Sequence, residues 1–168
     1  MASSAQLKEA APTPEGEAAL EAYVDLLHAV ERAQRQLHET VAAELERAGI
    51  DDVTAVQALL LFHLGEESLT AAEIMHSGRY LGSNVSYNLK KLNEGGRLDC
   101  TRDDARGAPR FRATASGRAI SSKLWGLFAR QREALKPVCS MDDAAVADAA
   151  AALKKLERYW FDQVRYKL

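Results

Sequence analysis

The chain has 168 residues, 47% hydrophobic and 27% charged, a composition typical of one globular protein. No stretch approaches the ~18–20 continuous apolar residues of a membrane span, and no signal peptide is visible, so we expect a cytoplasmic protein without a membrane partner. The two cysteines, Cys100 and Cys139, are too few and too far apart for a disulfide framework or a zinc cluster.

The net charge of −2 is unevenly distributed along the chain. Residues 1–75 contain 4 Lys or Arg and 14 Asp or Glu, residues 76–118 contain 9 and 4, and residues 119–168 contain 9 and 6. The middle segment therefore has the charge that best suits a nucleic-acid surface.

Two helices are predicted before this middle segment. Residues 1–16, rich in Ala, Ser, Pro and Glu, are expected to form a flexible leader. Apolar residues then recur every three or four positions from Glu17 to about Ala48, which predicts a long amphipathic helix ended by Gly49. A capping-box pattern at Thr54–Gln57 opens a second helix that is apolar on most faces and should be buried.

The stretch from Leu69 to Ala113 has the layout of a winged helix-turn-helix, with two short helices followed by a small hairpin. Thr70 and Glu73 form a capping box, so the first of these helices is predicted to begin near Ala71. Glycines in the following residues predict a turn before the second helix.

The second short helix, predicted from about Asn84 to Glu94 with Ser83 as its N-cap, has one apolar and one polar face. Val85, Leu89 and Leu92 share the apolar stripe. The polar face and its flanks carry groups that suit base edges and phosphates: Ser83, Asn84, Ser86, Tyr87, Lys90 and Lys91. Taken alone, so short a polar face is more typical of a solvated helix surface.

A basic hairpin changes that interpretation. Leu98–Arg102 and Arg110–Thr114 alternate apolar and polar residues, and the segment between them has turn chemistry. Arg106 falls at the predicted tip, flanked by Arg102, Arg110 and Arg112. A basic wing beside a basic helix predicts DNA binding by both.

Two further helices complete the chain. Thr114–Gly117 is predicted to open a helix over about 118–136 that Pro137 closes. Ser140–Asp143 is predicted to cap a last helix reaching about Tyr166. On that helix a seam of apolar residues needs a partner helix: Val146, Ala149, Leu153, Leu156, Trp160 and Val164.

This plan resembles that of the MarR family of winged helix-turn-helix transcriptional regulators over roughly Glu17–Tyr166. The residues that carry the resemblance are Leu69–Ile74, Asn84–Leu92, Asp104–Arg106 and Thr114–Gly117. Tyr80–Leu92 is similar to a bacterial subgroup that includes the envelope and stress regulator LdtR. The chain departs from the family in a shorter link from Gly96 to Asp104 and in a proline at position 109, which together put the reach of the wing in question.

The family resemblance implies a fold that is mainly α with a small β-hairpin wing, and a homodimer whose terminal helices interleave. The recognition helix would enter the major groove, and Arg106 the narrow minor groove. The parts so implied are a leader (1–16), an N-terminal dimerisation helix (17–50), a winged helix-turn-helix DNA-binding head (51–117) and C-terminal helices completing the dimer interface (118–168).

An input signal is also implied by the resemblance, because family members often bind small aromatic or anionic molecules between the dimer helices and the head. Candidate lining residues are Tyr23, His28, Trp125 and Phe128, although aromatic residues at helical spacing more often belong to a core.

Cys100 has two interpretations. Arg97 and Arg102 nearby would favour a reactive thiolate and hence a redox switch. The alternative is a small apolar filler on the inner side of the wing strand. The four histidines lack tight ligand spacing, so neither a metal nor another cofactor is predicted.

The predicted function is sequence-specific, dimeric binding of double-stranded DNA at a near-palindromic operator, where occupancy blocks or assists polymerase and a small molecule modulates it. No Walker, GxSxG or HExxH motif is present, so no enzyme activity is predicted. The competing interpretation is a winged-helix protein-interaction module; the basic middle segment and its polar helix face favour DNA.

Overall fold

The structure, a computed structural model, describes residues 13–76, 84–102 and 107–166. Its elements within these ranges are α1 (Pro14–Arg47), α2 (Ala55–Leu64), β1 (Leu69–Thr70), α3 (Ala71–His76), α4 (Val85–Glu94), β2 (Leu98–Thr101), β3 (Arg110–Ala113), α5 (Ala115–Cys139) and α6 (Asp143–Tyr166). The mainly helical fold with a small wing is confirmed. The chain divides into two compact units, residues 1–56 and 57–168.

Helix α1 begins at Pro14, three residues before the predicted start. Thr13 caps it, since its Oγ1 accepts a hydrogen bond from the Gly16 N–H at 3.2 Å. Proline suits the first helical position because it has no N–H to leave unpaired. Residues 14–16 therefore belong to the helix and not to a leader. The helix ends at Arg47, two residues before Gly49, whose φ is +67°.

Helix α2 is the buried centre of the helix-turn-helix, as predicted. Leu60 and Leu61 are at most 1% exposed. One buried polar contact was missed by the sequence analysis: Gln57 Nε2 donates to Asn88 Oδ1 of α4 at 3.3 Å. Because an unpaired amide is costly in a core, this bond helps to fix the rotation of α4 against α2.

The wing sheet has three antiparallel strands in the order β1–β3–β2. Strands β2 and β3 form the predicted hairpin, with Leu98 opposite Ala113 and Thr101 opposite Arg110. Strand β1 was not predicted; its Leu69 pairs with Phe111. Two residues are too few to show alternation of apolar and polar residues. This segment is a strand only because it pairs with β3, which lies about forty residues later in the chain.

Both ends of α5 differ from the prediction, whereas the cap of α6 lies within the predicted segment. Helix α5 begins at Ala115, since Thr114 caps it, and ends at Cys139 with Pro137 inside its last turn. A proline there removes only one hydrogen bond, so the helix continues until Ser140, whose φ of 57° ends it. The N-cap of α6 is supplied by Asp142, whose Oδ1 accepts from the Ala145 N–H at 2.9 Å.

Helix α6 has no buried residue within the single chain, and the need of its apolar seam for a partner helix stays a prediction. Val146, Leu153 and Val164 are 36%, 48% and 83% exposed. Helix α1 likewise exposes 62% of Leu20. Across the three described ranges, no helix is both long enough and apolar enough to cross a membrane.

Candidate nucleic-acid interface

The start of α3 is fixed by the predicted capping box. The Thr70 N–H donates to Glu73 Oε2 at 2.7 Å, and the Glu73 N–H donates to Thr70 Oγ1 at 3.2 Å. Hydrogen bonds from the Thr70 backbone and side chain lower the pKa of Glu73, and the charge of Arg110 adds to this effect. The start of α3 is therefore determined by two residues that lie three apart in the sequence.

Arg110 joins the wing to this helix start. Its Nη1 lies 3.5 Å from Glu73 Oε2, and its Nη2 donates to the Ser68 carbonyl. The side chain is 31% exposed. Arg110 was predicted to contact DNA; the structure gives its guanidinium a bracing position between β3 and α3, and its DNA contact stays a prediction.

Helix α4 is anchored by its apolar stripe and presents its polar face outward. Val85, Leu89 and Leu92 are 3%, 1% and 2% exposed, which confirms the buried stripe. The N-cap is Asn84 and not Ser83 as predicted, and the Asn84 side chain makes no capping hydrogen bond. Ser83 lies outside the described residues.

The outward face of α4 brings together the predicted contacts that the structure describes on this helix, all of them exposed: Asn84, Ser86, Tyr87, Lys90 and Lys91. Tyr87 is 58% exposed, and the Lys90 and Lys91 side chains are 73% and 48% exposed. Phenol, hydroxyl, amide and ammonium groups on one accessible helix face can donate to base edges and to phosphates.

The carboxylate of Glu94 lies at the C-terminal end of this face. Glu94 Oε2 lies 3.1 Å from Lys91 Nζ, and its Oε1 lies 3.8 Å from Lys90 Nζ. Lys91 Nζ is also 6.0 Å from the centroid of the Tyr87 ring. Glu94 raises the pKa of Lys91, while Lys91 and then Lys90 lower the pKa of Glu94. Both lysines of α4 therefore have a charged partner in the protein.

The wing exposes Arg102 beyond β2 and Arg112 on β3, where Arg112 stands opposite Asp99. The predicted tip residue, Arg106, lies outside the described residues. Cys100 is exposed, so its interpretation as an apolar filler was wrong. Leu98, at the inner end of the same strand, is 2% exposed, whereas Cys100 lies two residues farther along the hairpin, beyond the cover of the core. Its redox role stays a prediction.

The root of the wing is clamped to the start of α5. The Gly96 carbonyl accepts from Thr114 Oγ1 and from Ser116 Oγ, each at 2.9 Å. The Arg97 carbonyl accepts from the Thr114 N–H at 3.1 Å. A Cβ on Gly117 would lie 2.1 Å from that same Arg97 oxygen. The hairpin is thereby held in place by close backbone packing that tolerates only glycine at position 117.

The four predicted effector contacts fall on two elements. The Phe62 ring, which sequence reasoning did not single out, lies 5.2 Å from the Trp125 ring and 5.1 Å from the Phe128 ring. Trp125 is nonetheless 66% exposed. Tyr23 and His28 are exposed residues of α1, within the unit formed by residues 1–56.

Comparison with known proteins gives matches over this region and over most of the chain. Residues 53–117 match a winged helix DNA-binding domain family. The transcriptional activator of exopolysaccharide II synthesis, ExpG, of Rhizobium meliloti (strain 1021) is 32% identical over 154 residues, which are 90% of this chain and 78% of that protein.

Two solved structures illustrate the fold. A MarR transcriptional regulator from Methanosarcina mazei Go1 superposes with a TM-score of 0.63 at 15% identity, covering 82% of this chain and 90% of that one. The MepR protein of S. aureus, in a complex with DNA, gives a TM-score of 0.62 at 18% identity, covering 79% and 96%. At these identities the two structures show a shared fold.

Proposed function

Because the chain belongs to the MarR family of winged-helix transcriptional regulators, we propose that this DNA-binding regulator acts as a homodimer on a near-palindromic operator. The observation that carries the proposal is the exposed polar face of α4 beside a basic wing. The effect on transcription comes from occupying DNA in the cytoplasm and involves no catalysis. The R. meliloti relative is an activator by name, and either sign of control is compatible with the same DNA contacts.

In this proposal α4 lies in the major groove and the wing follows the flanking backbone. Tyr87, Lys90 and Ser86 read bases, while Lys91, Arg102 and Arg112 contact bases or phosphates at the edge of the groove. Arg110 contributes mainly by holding the wing against α3, since its guanidinium already contacts Glu73 and Ser68.

The dimer is supported by the uncovered apolar surface of the terminal helices. Monomeric proteins seldom leave a long row of large apolar side chains exposed, and α6 does so along its whole length. A second copy also suits the charges, because residues 1–75 are acidic and residues 119–168 are basic. Two protomers would set their recognition helices about one DNA turn apart, roughly 34 Å.

Light scattering coupled to gel filtration tests the dimer. We expect the mass of two chains, and a shift toward one chain in Leu153→Gln. Lys155→Gln is the matched control, since it changes a residue on the opposite side of the same helix. A wild-type mass of one chain at micromolar concentration would refute the dimer.

We also propose that a small aromatic molecule modulates binding by stacking on the rings of Phe62, Trp125 and Phe128. The exposed Trp125 offers an open ring face and packs against the Phe62 ring, which in turn contacts the Phe128 ring. Titration with benzoate as a probe should lower operator affinity in the wild type and leave Trp125→Leu unaffected. An equal effect on both proteins would place the effector elsewhere.

The decisive experiment incubates the purified protein with sheared genomic DNA at about physiological salt and sequences what it retains. One strongly enriched near-palindromic motif is the expected result. Tyr87→Ala and Lys90→Ala should then lose more affinity for that motif than for random DNA. No enrichment, with or without an aromatic ligand, would favour a winged-helix module that contacts protein.

A further inference from the structure

Glu94 occupies an unusual place in the proposed reading helix. It is the one acidic residue of α4 and stands at its last position. A carboxylate is unfavourable at the negative end of the helix dipole. Both of its partners, Lys90 and Lys91, precede it in the chain, which is the weaker order for an ion pair within a helix. The position and the order of charges therefore disfavour an acid here, and only the two ion pairs with Lys90 and Lys91 favour it.

The geometry instead connects Glu94 to both cations of the helix. One carboxylate oxygen lies 3.1 Å from Lys91 Nζ and the other lies 3.8 Å from Lys90 Nζ. To contact a phosphate, Lys90 or Lys91 must break its ion pair with Glu94. The Glu94 carboxylate, which lies on the same helix, is then close to the negatively charged DNA backbone. Contact with phosphates at an arbitrary sequence is thus opposed by both the lost pair and the added repulsion.

Non-specific binding depends almost entirely on phosphate contacts, so this opposition falls mainly on non-operator DNA. At an operator the balance differs, because a carboxylate in the major groove can accept a hydrogen bond from the amino group of cytosine. Such a donor stabilises Glu94 only where the right base faces it.

Resting on the proposed function, we propose that Glu94 is a specificity-determining residue of the recognition helix. It disfavours those phosphate contacts of Lys90 and Lys91 that do not depend on base sequence. Within the operator, it accepts a hydrogen bond from a cytosine. The acid at the end of α4 therefore lowers affinity for DNA in general and preserves affinity for one site.

The test compares Glu94→Gln with the wild type on operator and random-sequence duplexes. Glutamine keeps the length and helix propensity of the side chain but removes its charge. We expect affinity for random DNA to rise about tenfold and affinity for the operator to change by less than about threefold. The salt dependence on random DNA should steepen by about 2–4 in log–log slope, as up to two lysines per protomer become available at about 0.9 per phosphate.

Glu133→Gln is the matched control, because Glu133 lies on α5, pairs with Arg132 at 3.3 Å and carries the same charge. It should leave the operator-to-random ratio within about twofold of the wild type. An equal rise on both DNAs in Glu94→Gln, or the same change in Glu133→Gln, would overturn the inference while the wild type still prefers its operator. A wild type that prefers no sequence would overturn the proposed function and this inference with it.

Discussion

Replacing Gly117 by alanine tests how the wing is held against the rest of the head. The added Cβ would lie 2.1 Å from the Arg97 carbonyl oxygen, 3.2 Å from its carbonyl carbon and 3.3 Å from Leu61 Cδ2. Real Cβ atoms essentially never approach another atom closer than 3.0 Å, so the two backbones must separate by about 1 Å. That movement stretches the hydrogen bond that the Thr114 N–H donates to Arg97.

Two opposing effects set the expected change in unfolding free energy of Gly117→Ala. Overpacking at a tight backbone contact costs about 1–3 kcal/mol, and weakening the hydrogen bond to Arg97 costs about 1 kcal/mol more. Alanine returns about 1 kcal/mol through its better helix propensity. The expected net loss is about 2 kcal/mol of unfolding free energy, or about 4–8 °C in Tm for a chain of this size.

Thermal and urea denaturation followed by circular dichroism would measure the change, at equal protein concentration because a dimer gains stability with concentration. Gly126→Ala is the control on the same helix, since its Cβ would meet only the flexible Arg130 side chain at 3.5 Å. It should stabilise the protein by about 0.5–1 kcal/mol. A Gly117→Ala protein as stable as Gly126→Ala would refute the close-packing argument.

Three further outcomes are expected. Asn88→Ala should lose about 1–3 kcal/mol of unfolding free energy by removing the Asn88 oxygen that accepts from the buried Gln57 amide, and should weaken operator binding; unchanged stability would show that this bond does not fix α4. The pKa of Glu73 is lowered in the folded state, so its charge stabilises the fold above its ordinary pKa of 4.5 and that contribution is lost as the pH falls through the lowered value. Wild type and Glu73→Gln should accordingly differ at pH 7 and converge in acid; a constant difference would contradict this. Operator binding by a dimer that contacts about eight phosphates should have a log–log salt slope near −7, measured by anisotropy, and a slope smaller than about 2 in magnitude would exclude the proposed interface.

Much of the head could be predicted from the sequence because its determinants are local. The contacts of the capping box join residues three apart, and the stripe of Val85, Leu89 and Leu92 follows from helix period alone. The hairpin followed from alternation, and the polar face of α4 was correctly predicted to be exposed. These features depend on neighbours within a few residues, and those neighbours are written in the sequence.

Other features were decided by the tertiary structure. Strand β1 exists because Phe111 and Arg110 pair with it, and the Gln57–Asn88 bond joins residues 31 apart. Cys100 lies two residues after the buried Leu98, so alternation along the strand predicts that it faces inward. It is nevertheless exposed, because the sheet extends past the core that would have covered it. In each case the partner, or its absence, is fixed by how distant segments pack. A local sequence pattern shows which side chains and backbone groups a segment has available for contact. The packing of distant segments determines which of those groups gain a partner.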